Sequence, residues 1–72
     1  MKIFITGANG FTGSHLVKAL ENRGHTIKCL VRKTSDLSRL NNSNVQLIYG
    51  EITDHEIISK AMEDIDIVFH LA

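Results

Sequence analysis

Three glycines, Gly7, Gly10 and Gly13, stand three residues apart in the segment TGANGFTG, directly after the apolar run KIFI. Glycine has no Cβ atom, so another group can approach the main chain closely at such positions. The N-terminus of a helix offers amide groups without internal partners and a partial positive charge, which together attract phosphate. The spacing therefore predicts a phosphate-binding loop between a strand and a helix.

Each glycine of this loop has its own predicted role. Gly7 permits a tight turn out of the strand, Gly10 permits the close approach of a diphosphate, and Gly13 permits packing of the helix against the strand. The absence of a following Gly-Lys-Ser/Thr argues against a P-loop. A tight turn with a purely structural purpose is the alternative. The loop residues expected to belong to the binding site are Gly7, Asn9, Gly10, Phe11, Thr12 and Gly13, with Phe11 and Thr12 supplying amide donors.

Short β-type runs and helical periods alternate along the chain, and they must position this loop. The predicted strands are Lys2 to Thr6, Thr26 to Val31, Val45 to Tyr49 and Asp66 to Leu71, and the predicted helices are at about 12–23, 36–41 and 54–63. This alternation is typical of an α/β fold with a parallel sheet. Right-handed crossovers predict a Rossmann-like sheet of about four strands, in the order 3-2-1-4 with helices on both faces. The glycine loop then lies at the switch point between strands one and four.

Local signals set the expected ends of two helices. Gly24 stands where the first helix needs a left-handed residue. Thr53 and Glu56 are three residues apart, the spacing of a capping box at the start of the last helix.

Length and composition limit the remaining possibilities. The 72 residues make one small domain, because domains usually run to about 100–150 residues. The single cysteine, Cys29, lies in the apolar run TIKCLV and is expected to be a buried hydrophobic residue. The N-terminus lacks the features of a signal peptide, and no apolar run approaches the roughly 20 residues of a membrane span. These features predict a cytoplasmic protein without a membrane partner.

The charge is zero overall but unevenly placed. Residues 1–40 hold seven Lys/Arg against two acidic residues, whereas residues 41–72 hold one against six. The basic half contains the glycine loop, which favours an anionic ligand there, although ordinary solvated surface charge is the alternative. No basic run with interleaved aromatic residues is present, so nucleic acid is not the expected partner.

GxxGxxG, YGEITD and DIVFHLA, in this order, together resemble the extended short-chain dehydrogenase/reductase family. That family includes NAD-dependent epimerases, dehydratases and dihydroflavonol-reductase-like enzymes. The resemblance covers the whole chain but only the N-terminal part of the family's cofactor domain. It implies that residues 1–72 are the N-terminal portion of an NAD(P)-binding Rossmann domain, with no second domain.

The resemblance also assigns residues beyond the loop. Glu51 and Ile52 occupy the places where the family usually has Asp and an apolar residue against adenine. Leu71 and Ala72 match the end of strand four, near the ribose and nicotinamide. His70 precedes them on an apolar strand and is expected to be a packed core residue rather than a catalyst.

The end of strand two bears on the choice of coenzyme. An acidic residue about 20 positions past the glycines binds the ribose of NAD, whereas arginine accommodates the 2′-phosphate of NADP. Arg32 and Lys33 occupy those positions, and the first acid is Asp36. NADP is therefore favoured over NAD.

The catalytic Tyr-x-x-x-Lys of the family has no counterpart here. The one tyrosine, Tyr49, is followed four residues later by Thr53, and the four histidines lack metal-ligand spacing. We predict no catalytic or metal-binding residues, and no activity of this chain alone.

Three functions stay open. The favoured one is a cofactor-binding fragment of an oxidoreductase, epimerase or dehydratase, because the sequence stops at Ala72 inside a family motif. The second is a non-catalytic nucleotide-binding or sensing module. The third is a structural fragment that self-associates through the exposed edge after strand four.

Overall fold

Strands and helices alternate along residues 1–71, which are the residues that the computed structural model describes. Ala72 lies outside the described residues, so its predicted contact with the coenzyme is not addressed by the structure. The strands are β1 (Lys2–Thr6), β2 (Thr26–Val31), β3 (Gln46–Tyr49) and β4 (Ile67–His70). The helices are α1 (Phe11–Asn22) and α2 (His55–Ala61), and a 3₁₀ turn spans Ser38–Leu40.

All strand pairs are parallel, and the sheet order is β3-β2-β1-β4. This confirms the predicted order and places the reversal of winding between β1 and β4. The central strand β1 is buried on both faces, since Ile3, Phe4 and Ile5 are at most 1% exposed. A strand in a parallel sheet can be apolar along its whole length because helices cover both faces of the sheet.

Two separate apolar clusters show that helices lie on opposite faces. On one face, Val17 of α1 and Leu40 of the 3₁₀ turn pack with Ile3 and Ile5. On the other, Ala61 of α2 packs with Phe4 and Leu30. The predicted two-sided arrangement is confirmed.

Cys29 belongs to the first cluster, as predicted for a small buried hydrophobic residue. Burial, with a smaller effect of the nearby Glu21 charge, raises the pKa of its thiol to about 12. The thiol therefore stays protonated and unreactive at neutral pH.

Two local predictions need correction. The segment 36–41 forms only the short 3₁₀ turn, because the Asp36 Oδ1 accepts from the Ser38 amide at 3.0 Å and so closes a local turn instead of a helix. The prediction of a capping box formed by Thr53 and Glu56 is wrong. Asp54 is the N-cap, with its Oδ1 accepting from the Ile57 amide at 3.4 Å.

The end of α1 agrees with the sequence, since Gly24 has φ +81° and the amide of Gly24 donates to the Glu21 carbonyl at 2.9 Å. Within residues 1–71, no helix is long and apolar enough to cross a membrane.

Candidate functional site

The glycine loop turns sharply between β1 and α1. Gly7 has φ +77°, the left-handed region that favours glycine, and its carbonyl accepts from the Gly10 amide at 3.2 Å. Gly10 is the N-cap of α1, and no side chain caps the helix there. The Ser14 amide donates to the Gly10 carbonyl at 2.9 Å. The three amides before it, at residues 11–13, are the ones an α-helix leaves without internal partners, so they can bind an anion.

Gly13 and Gly10 differ in what surrounds them. A Cβ atom built on Gly13 would lie 2.7 Å from the Ala8 Cα and 2.9 Å from the Gly7 carbonyl carbon, so the main chains of α1 and the loop are in close contact. A Cβ atom on Gly10 would meet only the Gly7 oxygen, at the ordinary distance of 3.5 Å. The packing of the chain itself therefore requires glycine at position 13 but not at position 10.

A cleft of about 230 Å³ opens beside this loop, at the carboxyl ends of β1, β2 and β3. Five of the predicted site residues line this cleft: Gly7, Asn9, Arg32, Glu51 and Ile52. The other residues that line it are Thr6, Leu30, Val31, Ser35 and Gly50. The sheet topology brings them together, because parallel strands place their carboxyl ends at one edge.

The loop that follows β2 is held in place by its own polar groups. The Arg32 amide donates to the Ser35 Oγ at 3.0 Å, and the Ser35 amide donates to the Arg32 carbonyl at 3.0 Å. The Asn9 side-chain amide donates to the Asp36 carbonyl at 3.5 Å, which connects this loop to the glycine loop. Asn9 thus has a structural contact as well as a place in the cleft wall.

Asp36 is the first acid after β2. The hydrogen bond from the Ser38 amide lowers the pKa of the Asp36 carboxyl. The Ser38 side chain and the Arg39 charge lower it further, with smaller effects. The carboxylate is therefore engaged with its own turn. Arg32, in contrast, is an exposed cation in the cleft wall.

Ile52 presents a side chain that is 52% exposed at the edge of the cleft, beside the exposed Glu51. An exposed apolar side chain in this place offers a flat ring a surface to pack against.

The other predicted residues within 1–71 lie outside this cleft. Lys33 lines a neighbouring cleft of about 390 Å³, which shares Arg32, Gly50 and Glu51 with the first. Phe11 and Thr12 are exposed at the start of α1, where the Phe11 ring packs edge-on against His15 with centroids 4.6 Å apart. Leu71 follows β4, and its amide donates to the Thr6 carbonyl at 3.0 Å.

The sequence reasoning missed two polar contacts. The Ser35 Oγ accepts from the main-chain amide of Arg32, three residues earlier, and serine commonly makes such local side-chain-to-backbone hydrogen bonds. His70 was predicted to be a packed core residue, but it is exposed, and its Nδ1 lies 2.6 Å from the Thr6 Oγ1. This pairing joins distant parts of the chain, so no local pattern could have revealed it. Among residues 1–71, no group of three or more His, Cys, Asp or Glu could hold a metal ion.

Comparison with known proteins gives consistent matches. The model of the NAD dependent epimerase/dehydratase family matches residues 3–72. Sterol demethylase protein B of Methylococcus capsulatus is 35% identical over 72 residues, which is 100% of this chain and 22% of that protein. Such relatives are much longer, and the chain spans between 19% and 24% of their length.

Two solved structures show the same arrangement. UDP-glucose 4-epimerase of Thermotoga maritima, crystallised with UDP-glucose, is 32% identical with a TM-score of 0.88 over 100% of this chain and 24% of its own. WbmH of Bordetella bronchiseptica, in complex with NAD⁺, is 32% identical with a TM-score of 0.85 over 99% of this chain and 25% of its own.

Proposed function

Because this chain belongs to the NAD dependent epimerase/dehydratase family, we propose that it binds a nicotinamide dinucleotide. In this proposal it is the N-terminal portion of the cofactor domain of an oxidoreductase, an epimerase or a dehydratase. The observation that carries the proposal is the uncapped start of α1 beside a cleft at the strand ends. In open α/β sheets, ligands bind at this edge and at this switch point.

The diphosphate lies on the amides of Phe11, Thr12 and Gly13. Gly10 supports this placement, because a side chain there would meet no obstacle within the protein. A glycine that packing does not require is explained by a ligand that comes close to the main chain.

The adenosine half lies in the cleft that Glu51 and Ile52 border. The exposed Ile52 side chain packs against the adenine, and the Glu51 carboxylate accepts from its amino group. In this proposal Leu71 and Ala72 bind the ribose and nicotinamide side of the coenzyme. When bound, the nicotinamide ring supplies hydride transfer, while the protein supplies binding and orientation.

NADP is the favoured form of the coenzyme. Arg32 is exposed in the cleft wall, and Lys33 follows it. The first acid, Asp36, lies four residues beyond Arg32, and its Oδ1 accepts from the Ser38 amide within its own turn. Both features favour a 2′-phosphate over a free 2′-hydroxyl.

Catalysis by this chain alone is not part of the proposal. Tyr49 is followed four residues later by Thr53 and not by lysine, so the one tyrosine of the sequence does not form the family's Tyr-x-x-x-Lys pair.

Titration of the ¹⁵N-labelled chain with NADPH and with NADH tests the proposal, with calorimetry in parallel. We expect heat of binding, and the amide signals of Phe11 and Thr12 should move early in the titration. Adenosine is the matched control ligand, because it lacks phosphate and should leave those two amides in place. A folded chain that gives no heat with either coenzyme overturns the proposal.

A further inference from the structure

A threonine and a histidine from neighbouring strands meet at the switch point. Thr6 ends β1, His70 ends β4, and the two are direct partners in the parallel register. Their side chains therefore lie side by side on one face of the sheet. The Thr6 Oγ1 lies 2.6 Å from the His70 Nδ1, a short hydrogen bond.

The two partners have different surroundings. Thr6 is only 3% exposed and lies in the wall of the cleft. His70 is exposed and lies outside the cleft wall. Thr6 therefore contacts the imidazole ring and is also part of the cleft wall.

The direction of this hydrogen bond decides what Thr6 can offer a ligand. A hydroxyl has one hydrogen, and a neutral imidazole has one donor and one acceptor nitrogen. If Thr6 donates to His70, it can only accept from a ligand in the cleft. If the His70 Nδ1–H donates to Thr6, the hydroxyl hydrogen is free for a ligand oxygen.

The proposed ligand selects between these two arrangements. Phosphate oxygens of a dinucleotide only accept hydrogen bonds, so they require a donor. We propose that His70 donates from Nδ1 to Thr6 and that the Thr6 hydroxyl then donates to an oxygen of the bound dinucleotide. Thr6 is a binding residue and His70 is a positioning residue; this inference rests on the proposed function.

The strand ends do not depend on this pair alone. The Leu71 amide donates to the Thr6 carbonyl at 3.0 Å, and the β1–β4 register includes three further residue pairs. Variants of the two side chains are therefore expected to keep the sheet, and thermal unfolding of each variant checks this.

The first test is the ¹⁵N spectrum of the His70 ring in the NADPH-bound chain. We expect a hydrogen on Nδ1. A ring whose Nδ1 carries no hydrogen overturns the inference, and this measurement needs no variant.

The second test is calorimetry with NADPH on single and double variants. Thr6→Val should weaken binding about tenfold, the effect of one lost hydrogen bond to a charged group. His70→Leu should weaken it by a similar factor, and in the Thr6→Val background it should add almost nothing. Thr6→Ser and His70→Asn keep a donor in nearly the same place, so they are the matched controls and should retain most of the affinity.

The outcomes separate this inference from the proposed function. A parent chain that binds neither coenzyme overturns both. A parent chain that binds NADPH, together with an unchanged affinity of His70→Leu, overturns the inference alone. Independent effects of the two substitutions also overturn it, because a merely structural role in each strand predicts additive losses.

Discussion

Gly10→Ala and Gly13→Ala should have opposite effects, although both add one methyl group to the same loop. At position 13 the new Cβ atom would lie 2.7 Å from the Ala8 Cα, and main-chain atoms cannot rotate away as a side chain can. Overpacking of this kind costs about 1–3 kcal/mol. In a domain of this size each kcal/mol lowers the melting temperature by roughly 4–8 °C. Gly13→Ala should therefore lose at least about 4 °C.

At position 10 the structure predicts little change in stability. The new Cβ atom would be 3.5 Å from the Gly7 oxygen, an ordinary contact, and φ is −79°, which alanine adopts freely. Alanine is a poorer N-cap than glycine, but it also restricts the unfolded chain, and each effect is worth roughly 1 kcal/mol or less with opposite sign. The methyl group would stand where the diphosphate is proposed to lie, so the affinity for NADPH should fall at least about tenfold, which corresponds to roughly 1.4 kcal/mol.

Thermal unfolding and calorimetry with NADPH on the same samples distinguish the two effects. Gly10→Ala should have nearly the same melting temperature as the parent and should bind NADPH weakly. Gly13→Ala should unfold early, and its melting temperature is the informative quantity. A Gly10→Ala chain that binds NADPH as tightly as the parent would refute the argument that bare main chain at this position serves a ligand.

Three further predictions concern single residues. Arg32→Gln should lower the affinity for NADPH about tenfold and leave the affinity for NADH almost unchanged, because it removes one charge-assisted contact to the 2′-phosphate. The matched control is Arg23→Gln, which removes an exposed cation at the C-cap of α1. Equal affinities of the parent chain for NADPH and NADH would contradict the argument. Asp54→Ala should lower the free energy of unfolding by about 0.5–2 kcal/mol in denaturant titrations, because it removes the N-cap of α2. Thr53→Ala is the control and should change the free energy of unfolding little. The reverse ranking would support the capping box of Thr53 and Glu56 instead. Burial raises the pKa of the Cys29 thiol from its usual value of 9.0 to about 12 in the folded chain. The thiol of the unfolded chain therefore loses its proton first, and the free energy of unfolding should fall as the pH rises from about 9 toward 12. Cys29→Ala should flatten this part of the pH profile, and a parent profile that rises there would contradict the prediction.

The sheet was predictable because its causes are local and repeated. Apolar runs bounded by glycine mark strands buried on both faces, and right-handed crossovers leave few possible orders. The 3₁₀ turn at Ser38–Leu40 was not predictable, because the hydrogen bond from the Ser38 amide to Asp36 competes with the helix that the spacing alone permits. The cap at Asp54 shows a similar limit, since Thr53 and Asp54 are both good capping residues and the local sequence does not choose between them.

The candidate site divides in the same way. The glycine loop is contiguous, so spacing alone predicts the tight turn at Gly7 and the close packing at Gly13. Arg32, Glu51 and Ile52 come from separate strand ends, yet topology alone brings them to one cleft, because each follows a parallel strand. The Thr6–His70 hydrogen bond required coordinates. Register makes these residues neighbours, but only the side-chain positions show that Thr6, a residue of the cleft wall, forms a hydrogen bond with the exposed ring of His70. The contacts that tune a parallel-sheet site are therefore the ones least visible in sequence, since they join strand ends 64 residues apart in the chain.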